Sequence, residues 1–212
     1  MRFEARRLSR LTEARRPFGV MAPGAFREKD RRVSMNAVET MSFTIYAGLT
    51  VCFLTMSLIV LAALSDLRSM RIGNLTSALI ALAYIAAIPI AVPPIHAIGS
   101  SITTAAFVLI CGVILFCRGL LGGGDVKFAA SLMLWAGADH AIEFLFWTAA
   151  LGGIFGLFLL AFRTLPAPRV DATWVHSLHK SPAMPLAVPL AGAALFVLPK
   201  SGVFNTLLLP FN

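Results

Sequence analysis

Apolar residues occur along most of this chain in long runs separated by short polar connections. After residue 42 there are six such runs, at positions 43–64, 75–92, 98–117, 126–137, 141–162 and 184–198. Runs of about 18 or more mostly apolar residues are long enough to cross a bilayer as a helix. The run at 126–137 is shorter and needs length from its flanks, and two prolines interrupt the last run. The pattern predicts an all-α polytopic membrane protein with about six transmembrane helices.

The composition supports this class of protein. Of the 212 residues, 58% are hydrophobic and 13% are charged, whereas soluble domains contain about 45–50% apolar and about 25% charged residues. A net charge of +8 would suggest nucleic acid binding in a soluble protein. Here, however, the basic residues after position 40 lie between the apolar runs or at their ends, where they orient the spans. We therefore expect the lipid bilayer as a partner, and no nucleic acid.

Residues 1–40 differ from the rest of the chain. They carry ten Arg or Lys and five Asp or Glu residues, and so contribute +5 of the net charge. They contain no apolar stretch of the kind that a secretory signal peptide needs. Low hydrophobicity and high charge predict a disordered extension or a short surface helix. We therefore divide the chain into a basic extension at 1–40 and a membrane-embedded domain at 41–212.

The basic residues also predict the orientation of the spans. The first, third and fifth connections are basic and the other two contain no Lys or Arg; the basic residues are Arg68, Arg71, Arg118, Lys127, Arg163, Arg169 and Lys180. Because Lys-rich and Arg-rich loops stay in the cytoplasm, the odd connections are predicted to be cytoplasmic and the segment before residue 43 external. The basic extension conflicts with this orientation. Either the extension is translocated against its charge, or it is not part of the working protein. Our hypothesis is that residues 1–34 result from an over-extended start, since Met35 and Met41 both precede the first span and could be the true start.

Two aspartates lie on the predicted cytoplasmic side, Asp66 after the first span and Asp125 at the start of the fourth. A charge at membrane depth is costly and therefore a candidate for function, although each aspartate could simply mark a helix end. As a pair in a partly desolvated site they would share a proton, so that one activates water while the other polarises a carbonyl. Gly122, Gly123 and Gly124 would leave room beside Asp125 and allow unusual backbone angles. A substrate strand could then approach the carboxylate.

Three segments of the chain resemble the prepilin peptidase (type IV leader peptidase) family of intramembrane aspartic proteases. GGGDVKFAASLMLWAG is similar to its G-x-G-D segment, SDLRSMRIGN to its first aspartate motif, and MPLAVPLAGAALF to its late Pro-rich span. They follow the family's order and spacing over about residues 43–200. The resemblance implies a GxGD-type protease in which Asp66 and Asp125 are catalytic. Gly122 and Gly124 match the motif's glycines and, with Gly123, would shape the approach of the substrate.

The resemblance also implies a reaction. The family removes the basic leader of type IV or Flp-type prepilins and pseudopilins after a glycine, at the cytoplasmic face of the bacterial inner membrane. It implies no metal or organic cofactor, because water is the nucleophile and the protein supplies both carboxylates. The chain lacks the paired C-x-x-C motifs and the methyltransferase domain of longer members. It resembles the short form associated with tight-adherence (Flp-type) pili, with Gly73 where a proline is usual.

Other interpretations of the sequence remain open. The aspartates could serve a small ion-coupled or proton-coupled transporter, in which Asp→Glu changes should retain transport. A protease of the signal-peptide-peptidase type should show a Tyr-Asp pair and a Pro-Ala-Leu segment, and the chain has neither. His176, His179 and Asp171 lack a fourth metal ligand, so we predict no metal site. The tryptophans lie near predicted span ends, where interfacial anchoring is expected.

Overall fold

The structure, a computed structural model, describes residues 23–69, 73–164 and 184–208. The chain divides after Phe43 into two units, and we describe the second, Thr44–Asn212, by itself. The helices of the described residues are α1 Pro23–Ser69, α2 Asn74–Ala91, α3 Ile95–Cys117, α4 Gly123–Ala136, α5 Ala141–Thr164, α6 Ala187–Val197, the 3-10 helix Leu198–Lys200 and α7 Gly202–Leu208.

The helices agree closely with the apolar runs, and the predicted all-α membrane fold is confirmed. Each of the six runs lies largely within a helix, and no strand occurs in the described ranges. Among the described residues, four helices, α1, α2, α3 and α5, are long and apolar enough to cross a membrane, or five with the bent element described below, where the sequence predicted about six. Residues 23–40 of the predicted extension belong to α1 and residues 1–22 lie outside the described residues. The domain boundary and the over-extended start therefore stay predictions.

Helix α4 is shorter than the four candidate spans and lies at the centre of the fold. Its 14 residues extend over about 21 Å at 1.5 Å per residue, which is less than the roughly 30 Å of a bilayer core. It packs against α2, α3 and α6, and more briefly against α5. More than half of its residues are buried, whereas the long spans expose most of their apolar side chains. Protein, rather than lipid, therefore surrounds most of α4.

The last apolar run is interrupted later than the sequence suggests. Pro185 precedes α6 and Pro189 lies in its first turn, where a missing N–H breaks no intrahelical bond. The interruption falls instead at the 3-10 helix, which contains Pro199, and α7 then leaves at an angle of 65°. Taken as one bent element, α6, the 3-10 helix and α7 give a fifth candidate span.

Trp135 lies at the centre of the core, near the end of α4, and is only 1% exposed. Its Nε1 donates a hydrogen bond to the carbonyl oxygen of Ile80, 3.0 Å away. Its ring meets those of Tyr84 and Phe204 edge to face, with centroids 5.5 Å apart in each case. The prediction of interfacial anchoring is therefore wrong for Trp135, which joins α2, α4 and α7. Trp174 lies outside the described residues.

Candidate active site

Asp66 lies near the end of α1 and is buried, with 4% of its surface exposed. Its Oδ2 accepts a hydrogen bond of 2.9 Å from the backbone N–H of Ala187. Ala187 is the first residue of α6, and the first N–H groups of a helix have no partner within the helix. A carboxylate at this position satisfies one of these donors and interacts favourably with the helix dipole. The start of α6 therefore holds the Asp66 carboxylate in place.

Asp125 is the third residue of α4 and follows the capping residue Gly122. It is half-buried, and its carboxylate accepts a hydrogen bond from the backbone N–H of Gly122. An acidic side chain that reaches back from this position to the capping residue is one half of a capping box. The prediction that Asp125 marks a helix start is therefore confirmed. This position does not prevent the carboxylate from having a second role.

The two carboxyl groups are brought together although they come from distant parts of the chain. Asp66 and Asp125 are close enough to interact electrostatically. Each accepts a backbone N–H at the start of a helix, Asp66 from α6 and Asp125 from α4. Neighbouring carboxyl groups with limited exposure to water favour a state with one shared proton. Such a pair contains both a general base and a general acid.

The glycines before Asp125 provide space, and they do not adopt unusual backbone angles. A Cβ added at Gly122 would lie 2.7 Å from Oδ2 of Asp125, which is too close for a side chain. The backbone of Gly122 is extended, with φ −77° and ψ 142°, and any residue adopts these angles. Gly123 and Gly124 belong to the first turn of α4, without positive φ. The prediction of unusual angles is wrong, and the prediction of room beside Asp125 is correct at Gly122.

The left-handed turn lies earlier in the connection between α3 and α4. Gly119 has a φ of 71° and directly follows Arg118, the capping residue at the end of α3. A residue with a side chain rarely adopts this conformation, whereas glycine adopts it easily. Gly119 therefore allows the chain to leave α3, and Gly122 accommodates the Asp125 carboxylate.

Two basic residues that are close to the aspartates in the sequence, Lys127 and Arg68, lie in the described part of the chain. Lys127 donates a hydrogen bond of 3.0 Å to Oδ1 of Asn74, and Arg68 is exposed. Arg71 lies outside the described residues, as do His176, His179 and Asp171. In the ranges that the structure describes, no group of three or more His, Cys, Asp or Glu residues could hold a metal ion.

Two residues that position the pair were not predicted as site residues. Ala187 acts through its backbone N–H. The one sequence signal that pointed to this region was the resemblance of the late Pro-rich segment to the corresponding segment of the family. Gly112 lies in α3 against Val126, where an added Cβ would approach Cγ1 of Val126 to 2.6 Å. Small residues allow membrane helices to pack closely. Gly112 therefore lets the start of α4 approach α3, and nothing in the sequence distinguishes it from other small residues in the spans.

Comparison with known protein families assigns the chain to a family. The model of the type IV leader peptidase family matches residues 41–157, which is more than half of the chain and includes both aspartates. No match was found among curated proteins or among solved structures. The chain belongs to the type IV leader peptidase family. It is therefore a peptidase, and its apolar helices make it a multi-pass membrane protein.

Proposed function

We propose that this chain is an aspartic endopeptidase in which Asp66 and Asp125 form the catalytic pair. The observation that carries the proposal is the proximity of these two carboxyl groups in a chain that belongs to a peptidase family. They lie in different helices and interact electrostatically, as the two carboxyl groups of an aspartic protease do. The burial of Asp66 and the partial burial of Asp125 favour a shared proton over two full charges.

The proposed mechanism assigns complementary tasks to the pair. A water molecule between the carboxyl groups loses a proton to the ionised one and attacks the scissile carbonyl. The protonated carboxyl group donates to the carbonyl oxygen and stabilises the charge that develops there. The N–H groups of Ala187 and Gly122 keep the two carboxyl groups oriented throughout. The reaction consumes water only and needs no metal or organic cofactor.

The proposed substrates are prepilins and pseudopilins of the type IV or Flp type, cleaved after a glycine that ends a basic leader. Gly122 is exposed beside Asp125, and with Gly123 and Gly124 it would leave a path for an extended peptide. The basic odd-numbered connections support an active site on the cytoplasmic face. The proposed location is the bacterial inner membrane.

Co-expression with a candidate prepilin from the same genome tests the proposal, with loss of the leader observed as a gel shift. Asp66→Asn and Asp125→Asn should each abolish the shift, because the pair needs two ionisable carboxyl groups. Asp139→Asn is the matched control, since Asp139 is exposed in the turn between α4 and α5. All three variants should enter the membrane in normal amounts.

The outcomes of this experiment separate the candidate functions. Normal processing by Asp66→Asn or Asp125→Asn would exclude the proposed mechanism. If no prepilin is cleaved by the unaltered chain, but Asp→Glu variants retain ion movement in reconstituted vesicles, the transporter is favoured instead.

A further inference from the structure

A groove runs along the side of α4 that is turned away from the aspartates. It has a volume of about 500 Å³ and is lined by positions within 74–81 of α2, 102–109 of α3 and 127–134 of α4. On each helix the first and last lining positions are seven residues apart, so the groove is about 10 Å long at 1.5 Å per residue. It is called the α4 groove below. Nothing in the proposed peptidase mechanism uses it.

The two ends of the α4 groove differ chemically. Asn74 and Lys127 lie at one end, near the starts of α2 and α4, and the far end is formed by Ala81, Ile102 and Leu134. Lys127 Nζ donates to Asn74 Oδ1, and an ammonium group has two further donors. The first N–H groups of α2 also receive no side-chain cap, because the capping residue is a glycine. One end is therefore suited to an anion and the other to hydrocarbon.

Ser77 gives an independent indication that the groove holds a ligand. Its side chain lines the groove and is only 5% exposed, and its Oγ has no hydrogen-bond partner. Leaving a buried hydroxyl unpaired costs about 1–3 kcal/mol. The Oγ is covered in the observed side-chain conformation, and a rotation of the Ser77 side chain toward the groove would let it donate a hydrogen bond to an ester or phosphate oxygen there.

The middle of the groove is lined by small side chains. Ala78, Ala105, Ala106 and Ala130 line it, so a chain of hydrocarbon can lie between the three helices. Ala78 and Ala106 are exposed, which leaves the groove open to the surroundings of the helices. In a multi-pass membrane protein these surroundings are lipid.

We infer that the α4 groove binds an anionic phospholipid, with its phosphate at Lys127 and Asn74 and an acyl chain along the alanines. A substrate polypeptide is the other possible occupant, and the geometry disfavours it. Lys127 lies two residues after Asp125, about 200° around the helix, so the groove and the catalytic pair are on opposite sides of α4. A peptide whose scissile bond lay at the pair would have to pass around α4 to reach the groove.

Native mass spectrometry of the purified full chain in detergent tests this inference by counting bound lipid. Phosphatidylglycerol should bind about tenfold more tightly than phosphatidylcholine, because both lipids offer a phosphate to Lys127 but the choline ammonium cancels the net negative charge that attracts the lysine. Lys127→Gln should remove this preference, whereas Arg118→Gln, an exposed cation outside the groove, should retain it. Inorganic phosphate at millimolar concentration should not displace the lipid, because it has no chain to fill the groove.

A pair of matched substitutions tests the apolar part of the groove. Ala78 and Ala86 are both exposed alanines of α2, and only Ala78 lines the groove. Ala78→Phe should lower phosphatidylglycerol binding at least tenfold, and Ala86→Phe should leave it unchanged. Ser77→Ala removes only a hydroxyl and should weaken binding about threefold, which tests the groove even if Ala78→Phe fails to fold.

Three results would overturn the inference. The first is equal lipid binding by Ala78→Phe and Ala86→Phe, or, where Ala78→Phe does not fold, unchanged binding by Ser77→Ala. The second is an undiminished preference for phosphatidylglycerol in Lys127→Gln. The third is displacement of the lipid by a prepilin peptide that cross-links to position 106, which would make the groove a polypeptide site. Because lipid binding is measured without cleavage, these results are independent of the proposed peptidase activity.

Discussion

The two aspartates show how differently one protein can position the same functional group. The Asp125 carboxylate is held by Gly122, three residues earlier in the same helix start. The Asp66 carboxylate is held by Ala187, which lies 121 residues away in the sequence. The position of Asp125 therefore depends on local backbone geometry, whereas that of Asp66 depends on the docking of α6. Each arrangement should fail in response to a different substitution.

Among substitutions that leave both aspartates in place, the largest expected effect comes from closing the space beside Asp125. In Gly122→Ala the new Cβ would lie 2.7 Å from Oδ2 of Asp125, so the carboxylate must turn away and lose its bond to residue 122. A displacement of about 1 Å at a reacting group can cost about 100-fold in rate. We expect leader cleavage to slow by about 10-fold to 100-fold, measured as the initial rate on a purified prepilin.

The neighbouring glycine provides the matched control for this prediction. A Cβ added at Gly123 would lie 3.4 Å from the ring of Phe116, which is an ordinary contact, and alanine is favoured over glycine within a helix. Gly123→Ala should therefore cleave at nearly the normal rate. Equal rates for Gly122→Ala and the unaltered chain would show that the carboxylate does not need its observed position.

The second prediction concerns the effect of Asp66 on the stability of the folded protein. Asp66→Ala leaves the N–H of Ala187 buried without its acceptor, which costs about 1–3 kcal/mol. Asp66→Asn keeps an oxygen that can accept this bond and should retain most of the stability, although it lacks activity. The two variants should differ in thermal unfolding in detergent, with Asp66→Ala melting at the lower temperature.

Asp125→Ala and Asp125→Asn allow the stability effects of the two aspartates to be compared directly. Asp125 is half-buried, so water can partly replace the lost carboxylate, and its removal should cost less stability than the removal of Asp66.

Equal melting temperatures for Asp66→Ala and Asp66→Asn would mean that the N–H of Ala187 finds another acceptor. The docking of α6 would then not depend on Asp66.

The sequence allowed the fold to be predicted wherever the determining interactions are local. The apolar runs define the helices because a backbone in lipid must satisfy its own hydrogen bonds. The start of α4 was predictable for a similar reason, since Asp125 and its capping glycine lie within one turn. The shortness of the 126–137 run also indicated that α4 is unlike the other spans.

Long-range contacts explain what could not be predicted. Trp135 lies near the end of a run, as an interfacial residue would, but its indole N–H finds the carbonyl oxygen of Ile80 in another helix. The hydrogen bond between Ala187 and Asp66 joins segments whose proximity no periodicity encodes. The three glycines before Asp125 correctly indicated open space beside the carboxylate, but the expectation that they adopt unusual backbone angles was wrong. Gly122 leaves space for a carboxylate, and the positive φ belongs to Gly119.

The smallest expected effect concerns the connection that follows Asp66. Gly73 has a φ of −66°, which matches the φ of about −65° that proline imposes, and it caps α2, where its own N–H is not part of the helix. Proline there removes freedom from the unfolded chain, so Gly73→Pro should stabilise the protein by about 0.4–1 kcal/mol. Gly119→Pro should have the opposite effect because Gly119 has a φ of 71°. Thermal unfolding in detergent measures both changes, and a lower melting temperature for Gly73→Pro would mean that this turn needs the freedom of glycine.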